Sequence, residues 1–455
     1  MSVVLSRPAV TAADHWLDEF RGLAPSLPGA ALPWLAAVRQ RAIVRFADSG
    51  WPTNRLENWR HTSLAFLDKE TFSHVRDDAD PEEPGLRARV EQLRAGDDGG
   101  HWLTFVDGRF ASKLSRPGAL PAGAEIRSLS EALANAPPWL EALFGDAEQG
   151  EAPAALNAAF AGDGAVVRLA RGVVVAEPIH LVFVASSVGA AIQPRNLIAA
   201  GAGAQATIVE YYLGHGEAAV DALTLTNAVT RIEAAADSRI THVKLQQESL
   251  GAVHLAAIDA VQACGSMFAS HSMSFGARLA RNDIGTRFDG EGCEVLLNGL
   301  YHVDGRRHVD HHTRIDHAQP RGTSREFYRG IMDDAGRGVF SGRILVAVGA
   351  ARTDAVQRTD SLLLSPQAET DARPELEIYA DDVKCAHGAT VGQIDEASLF
   401  YLRSRGLDEA RARSILTYAF AAQAVGRIEP ASLRQRAEAA IRARLPGGES
   451  METIS

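Results

Sequence analysis

Cysteine and lysine are scarce in this chain of 455 residues. Cys264, Cys293 and Cys385 are far apart and form no Cys-x-x-Cys pair, a usage of reduced cytosolic chemistry and not of a disulfide framework. The lysines Lys69, Lys113, Lys244 and Lys384 follow Asp, Ser, Val and Val. None follows the glycine of a phosphate-cradling loop, so the chain is not an ATPase of the P-loop kind. A Gly-x-Ser-x-Gly elbow is missing, as is a Ser-His-Asp order, which removes the common hydrolase arrangement. No apolar run reaches the length of a membrane span, and the opening MSVVLSRPAVTAADHW has no basic segment before an apolar core. Basic charge is also in deficit, with a formal net charge of −11, which argues against nucleic acid or an anionic membrane as the partner. A cytoplasmic protein is expected.

What is present divides into three textures. Residues 1–160 read as a mixed, largely helical N-terminal domain. Thr11 with Asp14 is a capping pair ahead of Trp16 and Phe20, and Pro33 opens an amphipathic run that stops near Gly50. Asp68 to Gly100 is highly charged and is expected to be a solvated stretch. WLTFVDGRFA, residues 102–111, places Asp107-Gly108 between apolar runs and predicts a hairpin. SLSEALANAPPWLEALFG, residues 128–145, predicts a helix broken at Pro137-Pro138.

Residues 161–390 consist of short runs rich in Val, Ile, Leu and Thr. Turn residues recur at Gly203, Asp237, Gly265, Gly292, Gly322 and Gly349, roughly every thirty residues. Without helical crossovers, this repeat suits a parallel β-helix whose coils bury their inward side chains on their neighbours, an antiparallel sandwich being the alternative. Residues 391–455 return to a helical pattern. Asp395 and Asp408 are N-caps, Gly406 a stop, and Pro430 precedes a third helix. The apolar stripes of these helices exceed what three short helices hide among themselves, which suggests a partner surface.

Two clusters carry candidate chemistry. In PELEIYADDVKCAHGATVGQID, residues 374–395, alternation predicts a strand. If it continues through Val383, Cys385 and His387 share a face. Sulfur beside imidazole suits zinc, copper or an iron–sulfur cluster, yet two ligands are half of the usual four. The second cluster is HVDHHTRIDH, where His308, Asp310 and His312 alternate onto one face. It reads either as a 2-His-1-carboxylate metal site or as a polar outer face. Asp381 and Asp382, as strand neighbours on opposite faces, make a poor acid/base pair. One of them is expected to support an interface.

The run DDVKCAHGATVG, with FYLRSRG at 400–406 and YAFAAQ at 418–423, closely resembles the SufD branch of the SufB/SufD family of iron–sulfur cluster assembly scaffolds. RLENWRHTSL, residues 55–64, resembles its N-terminal signature. The resemblance implies a right-handed parallel β-helix core and a non-catalytic scaffold subunit of a SufBCD-type complex. It implies pairing with a SufB-like subunit and docking of a SufC-like ATPase, with a homodimer where SufB is absent. It further implies an iron–sulfur cluster, held transiently and shared with SufB, at Cys385 and His387. Where SufB-type chains have FYC, this chain has Leu402 in FYL, which favours the SufD side and makes unaided cluster assembly doubtful. Phe400, Tyr401, Ile415 and Phe420 form the candidate partner-binding surface. Flavin has been associated with such complexes; no dinucleotide fingerprint is found here and flavin stays undecided. The rival reading is a β-helix enzyme, either carbohydrate-active or metal-dependent through His308–His317.

Overall fold

A computed structural model describes residues 12–75, 84–95, 99–145, 150–214 and 223–448. Its centre is a β-solenoid of about eight turns made of two facing parallel sheets. Successive strands alternate between the sheets, so each coil contributes one strand to each. Register partners repeat through the stack: Leu225 lies opposite Val253, Val253 opposite Leu279, and Leu279 opposite His308. This parallel pairing excludes the antiparallel sandwich.

The corners explain the turn residues. Gly203, Asp237, Gly265, Gly292 and Gly349 all have positive φ, and at the fifth corner it is Arg321, one residue before Gly322, that takes φ 59°. A second set of corners at Ala277, Gly305 and Asp334 adopts the same left-handed geometry. Asp there is tolerated because its short side chain bonds locally. Between corners, alternate side chains enter the lumen, where Ile208, Ile240, Phe268 and Val295 are buried in one continuous core. Phe105, Phe183 and Tyr212 stack at successive 5.0 Å centroid separations near its start.

Both outer faces of the solenoid are also covered. N-terminal helices Ala12–Leu23, Pro33–Ser49 and Ala152–Phe160 share a core with Leu197, Leu225, Val253 and Leu279 of one sheet. The Thr11 cap lies outside the described residues. Strand His101–Val106 runs parallel to Ile179–Ala185, then turns back as the expected hairpin through Asp107 at φ 47° and Gly108 at φ 80°. Helices Leu129–Asn135 and Leu140–Phe144 flank the diproline break. One expectation is corrected: the charged stretch after Asp68 contains helix Pro84–Arg94, which buries Leu86 and Val90. Those residues are four apart and Leu93 follows at the next turn, a stripe that the surrounding charges masked.

The C-terminal helices Glu396–Ser404, Glu409–Val425 and Ala431–Arg442 begin at Asp395, Asp408 and Pro430. Asp395 accepts from the Ser398 amide at 2.7 Å and Asp408 from the Arg411 amide at 2.9 Å. Their apolar stripes need no partner for most of their area. Ala421, Ala424, Val425 and Ile441 pack on the outer face of the second sheet, against side chains such as Leu300, Phe327 and Ile331.

Candidate site at the open end of the solenoid

The solenoid stops at Glu369–Ile378 in one sheet and Lys384–Gly392 in the other. Each of these strands pairs with a single neighbour, Arg337–Val346 and Asp354–Leu363 respectively, and no described strand covers the other side. The strand through Leu376 does not continue to Cys385 as the alternation suggested. It ends at Ile378, the chain bends through Asp381 and Asp382, and a new strand begins in the opposite sheet. Spacing alone preserves the shared face, since residues two apart on any strand point the same way.

Cys385 lies opposite Ala355, and His387 opposite Gln357. Both are therefore in the lumen-facing row, at its last rung. Cys385 is half-buried and packs with Leu376, Ala380 and Val383 on the solenoid core, while His387 is exposed. Burial pushes the Cys385 thiol above its ordinary range. A metal taking this sulfur would displace its proton, so uptake would favour higher pH. Asp381 and Asp382 are exposed, and Arg352 Nε approaches Asp382 at 3.8 Å on the surface.

Beneath His387, the lumen row continues inward through Gln357 and Glu326, which lie opposite one another on the preceding two coils. The Gln357 amide donates to Glu326 Oε2 at 2.5 Å. Burial raises the Glu326 carboxyl to about 7. Sequence alternation misses this pair. In SREFYRG the aromatic Phe327 looks like the inward residue, but it faces the C-terminal helices and Glu326 faces the lumen. Alternation identifies an inward face only where the other face is wet. Deeper in the lumen Lys244 donates to His254 Nε2 at 2.7 Å, and His254 Nδ1 lies 2.8 Å from the Glu248 carboxylate, with all three side chains buried.

The His308 cluster is on the outside of the other sheet, under the N-terminal segment. Thr62 bonds His308 Nε2 at 2.8 Å and also donates to Asp310. Arg281 donates to Asp310 Oδ2 at 2.8 Å, and its guanidinium lies 3.6 Å from the centre of the Trp59 ring. Burial would raise the Asp310 carboxyl, but His312, Arg281 and His308 together hold it below the usual range. His308, Asp310 and Arg281 thus clamp the RLENWRHT segment to the solenoid. His311 and His317 point the other way, into the lumen, and do not join them. No group of three or more His, Cys, Asp or Glu side chains placed to hold a metal occurs among the described residues.

Phe400 and Tyr401 are 74% and 56% exposed on the helix that follows the open end. Phe420, in contrast, packs on the flank of the solenoid with the Arg329 guanidinium 4.3 Å from its ring centre. Ile415 is half-buried. The four residues therefore do not make one exposed patch.

The structure is thus a two-sheet solenoid with a thiol and an imidazole on its last described coil, and sequence comparison specifies its family. The profile described as "SUF system FeS cluster assembly, SufBD core domain" matches residues 183–420, and "SufBD protein N-terminal region" matches 11–181. The chain belongs to the SufBD family of iron–sulfur cluster assembly proteins. It is 32% identical to the iron–sulfur cluster assembly protein SufD of Escherichia coli K12, over 90% of this chain and 93% of that protein. It is also 31% identical to a SufBD family protein of Synechocystis, over 88% of each chain. To SufD of Bacillus subtilis it is 27% identical, over 60% of this chain and 62% of that one. Among the described residues, no helix is long and apolar enough to cross a membrane.

Proposed function

We propose that this chain is the SufD-type scaffold subunit of a SufBCD-type complex, without turnover of its own, acting in the cytoplasm. The observation that carries the reading is the last coil: Cys385 and His387 stand two residues apart on a strand whose outer edge pairs with no strand among the described residues. Two ligands are half of what a cluster takes, and the open edge is where a second protein brings the others. A SufB-like subunit fits this role, and a second copy of this chain takes its place when that subunit is absent. The nascent cluster is the cargo of the shared site, not a resident group.

The test is coexpression with SufB-like and SufC-like partners, followed by pull-down and cluster spectroscopy. Cys385→Ser and His387→Ala are expected to leave the complex assembled while lowering cluster yield, the histidine change more severely. Wild-type yield from both variants would remove the ligand role.

Docking of the ATPase falls to Phe400 and Tyr401, because aromatic side chains this exposed gain most from a partner's cover. Phe400→Asp is expected to weaken ATPase capture with no change in the thermal midpoint of the isolated chain. Phe420→Asp, which would insert a charge against the solenoid flank, should instead cost about 2 kcal/mol or more of stability. Circular dichroism melts of both variants, beside pull-downs, separate the two effects.

A further inference from the structure

Gln357 is 1% exposed, and its two amide atoms have different fates. The nitrogen donates to Glu326 Oε2. The oxygen, Oε1, is buried and accepts from no donor among the described residues. That arrangement is directional above about pH 7, where Glu326 is ionised: a carboxylate only accepts, so Glu326 then obliges Gln357 to turn its NH2 inward and leaves its carbonyl to be satisfied elsewhere. A buried acceptor without a donor costs free energy, and neighbouring groups able to donate are drawn to it. On the rung toward the open end, the lumen-facing residue in register with Gln357 is His387, whose exposed ring has room to turn.

We infer that Glu326, acting through Gln357, is a positioning device for His387: one imidazole N–H donates to Gln357 Oε1, which fixes the ring's tautomer and presents the other nitrogen's lone pair at the open end. Metal-ligating histidines are commonly held this way by a group behind them, and the two residues here are placed in line for it. Gly342 makes room for the device. A Cβ there would run into the Gln357 amide nitrogen, Phe340 and Thr313. The importance of this contact for cluster building rests on the reading of His387 as a ligand, whereas the contact itself does not.

The experiment uses the full chain with 15N-labelled histidine rings, the His387 signals being assigned by their loss in His387→Ala. In the wild type at pH 8 the two ring nitrogens of His387 should resonate far apart, as in a single tautomer. In Gln357→Leu they should converge toward the averaged positions of a free imidazole. Glu326→Gln, nearly the same shape and so the variant that keeps the lumen filled, should show partial convergence because its amide no longer dictates which way Gln357 faces. Averaged His387 signals in the wild type, or identical signals in wild type and Gln357→Leu, would overturn the inference. In the coexpressed complex, Gln357→Leu should lower cluster yield on the order of tenfold. Full yield from Gln357→Leu beside a deficient His387→Ala would overturn the positioning role while leaving the ligand role intact. Full yield from His387→Ala would instead refute the ligand role, with the ring-nitrogen signals still deciding whether the contact exists.

Discussion

Arg281→Ala is expected to destabilise the protein by about 3–5 kcal/mol, the range for stranding one member of a buried ion pair. Arg281 and Asp310 are 1% and 0% exposed in their side chains and meet at 2.8 Å. Arg281 also donates to Asp283 through Nε at 3.0 Å and through NH2 at 2.8 Å, and its plane covers Trp59. Removing it leaves Asp310 charged under the N-terminal segment, with Thr62 and the two histidines as its remaining partners. Trp59 loses its cation at the same time. Chemical denaturation of the isolated chain measures the loss, and limited proteolysis should show earlier cleavage within residues 55–64. A difference below about 1 kcal/mol would mean that Thr62, His308 and His312 suffice to satisfy the carboxylate. Changing both partners to apolar residues of similar volume should recover much of the loss, as buried pairs often do.

Glu326 predicts a pH dependence of opposite origin. Its folded carboxyl is raised by burial from 4.5 to about 7. Below 4.5 the group is neutral whether folded or unfolded, so its burial carries no charge penalty. Between 4.5 and 7 the unfolded chain ionises first, and stability falls as pH rises through that window. Above 7 the deficit is constant, on the order of 3 kcal/mol. Glu326→Gln cannot ionise and should be the more stable protein at pH 8 by an amount of that order, with little difference at pH 4. Thermal midpoints of the two proteins at both pH values test this. Equal midpoints at pH 8 would show that the lumen solvates the carboxylate. A carboxyl retained against such a cost fits a residue kept for where it makes Gln357 point.

The solenoid was legible because its signal is repetitive. Corners at Gly203, Asp237, Gly265 and Gly292 need left-handed backbone, and few residue types supply it, so the punctuation survives in one sequence. The caps at Asp395 and Asp408 were legible for a similar reason, since one side-chain oxygen answers a fixed need. Cys385 and His387 could be singled out by chemistry, and their spacing made the shared face safe even though the strand assignment around them was not. What could not be read was which side of each strand faces the lumen. The outer faces are covered by helices on both sheets, so Phe327 and Glu326 exchange the roles that a half-wet strand would give them. The clamp at His308 and Asp310 was equally hidden, because its partner Thr62 is 246 residues away from His308 in sequence and nothing local marks the pair.

Both sheets end with backbone groups that have no further strand to bond among the described residues. Along the exposed rim, Glu369, Asp371, Glu375 and Glu377 in one strand are drawn into ion pairs with Arg337, Arg343 and Arg373. The other rim, Lys384 to Gly392, has a single charged residue at its start and otherwise small or neutral ones. Charge discourages indiscriminate strand addition, so the two rims differ in how readily they accept a newcomer. Whatever joins this molecule end to end therefore meets one guarded lip and one permissive lip, an asymmetry that orients the incoming chain before any metal is involved.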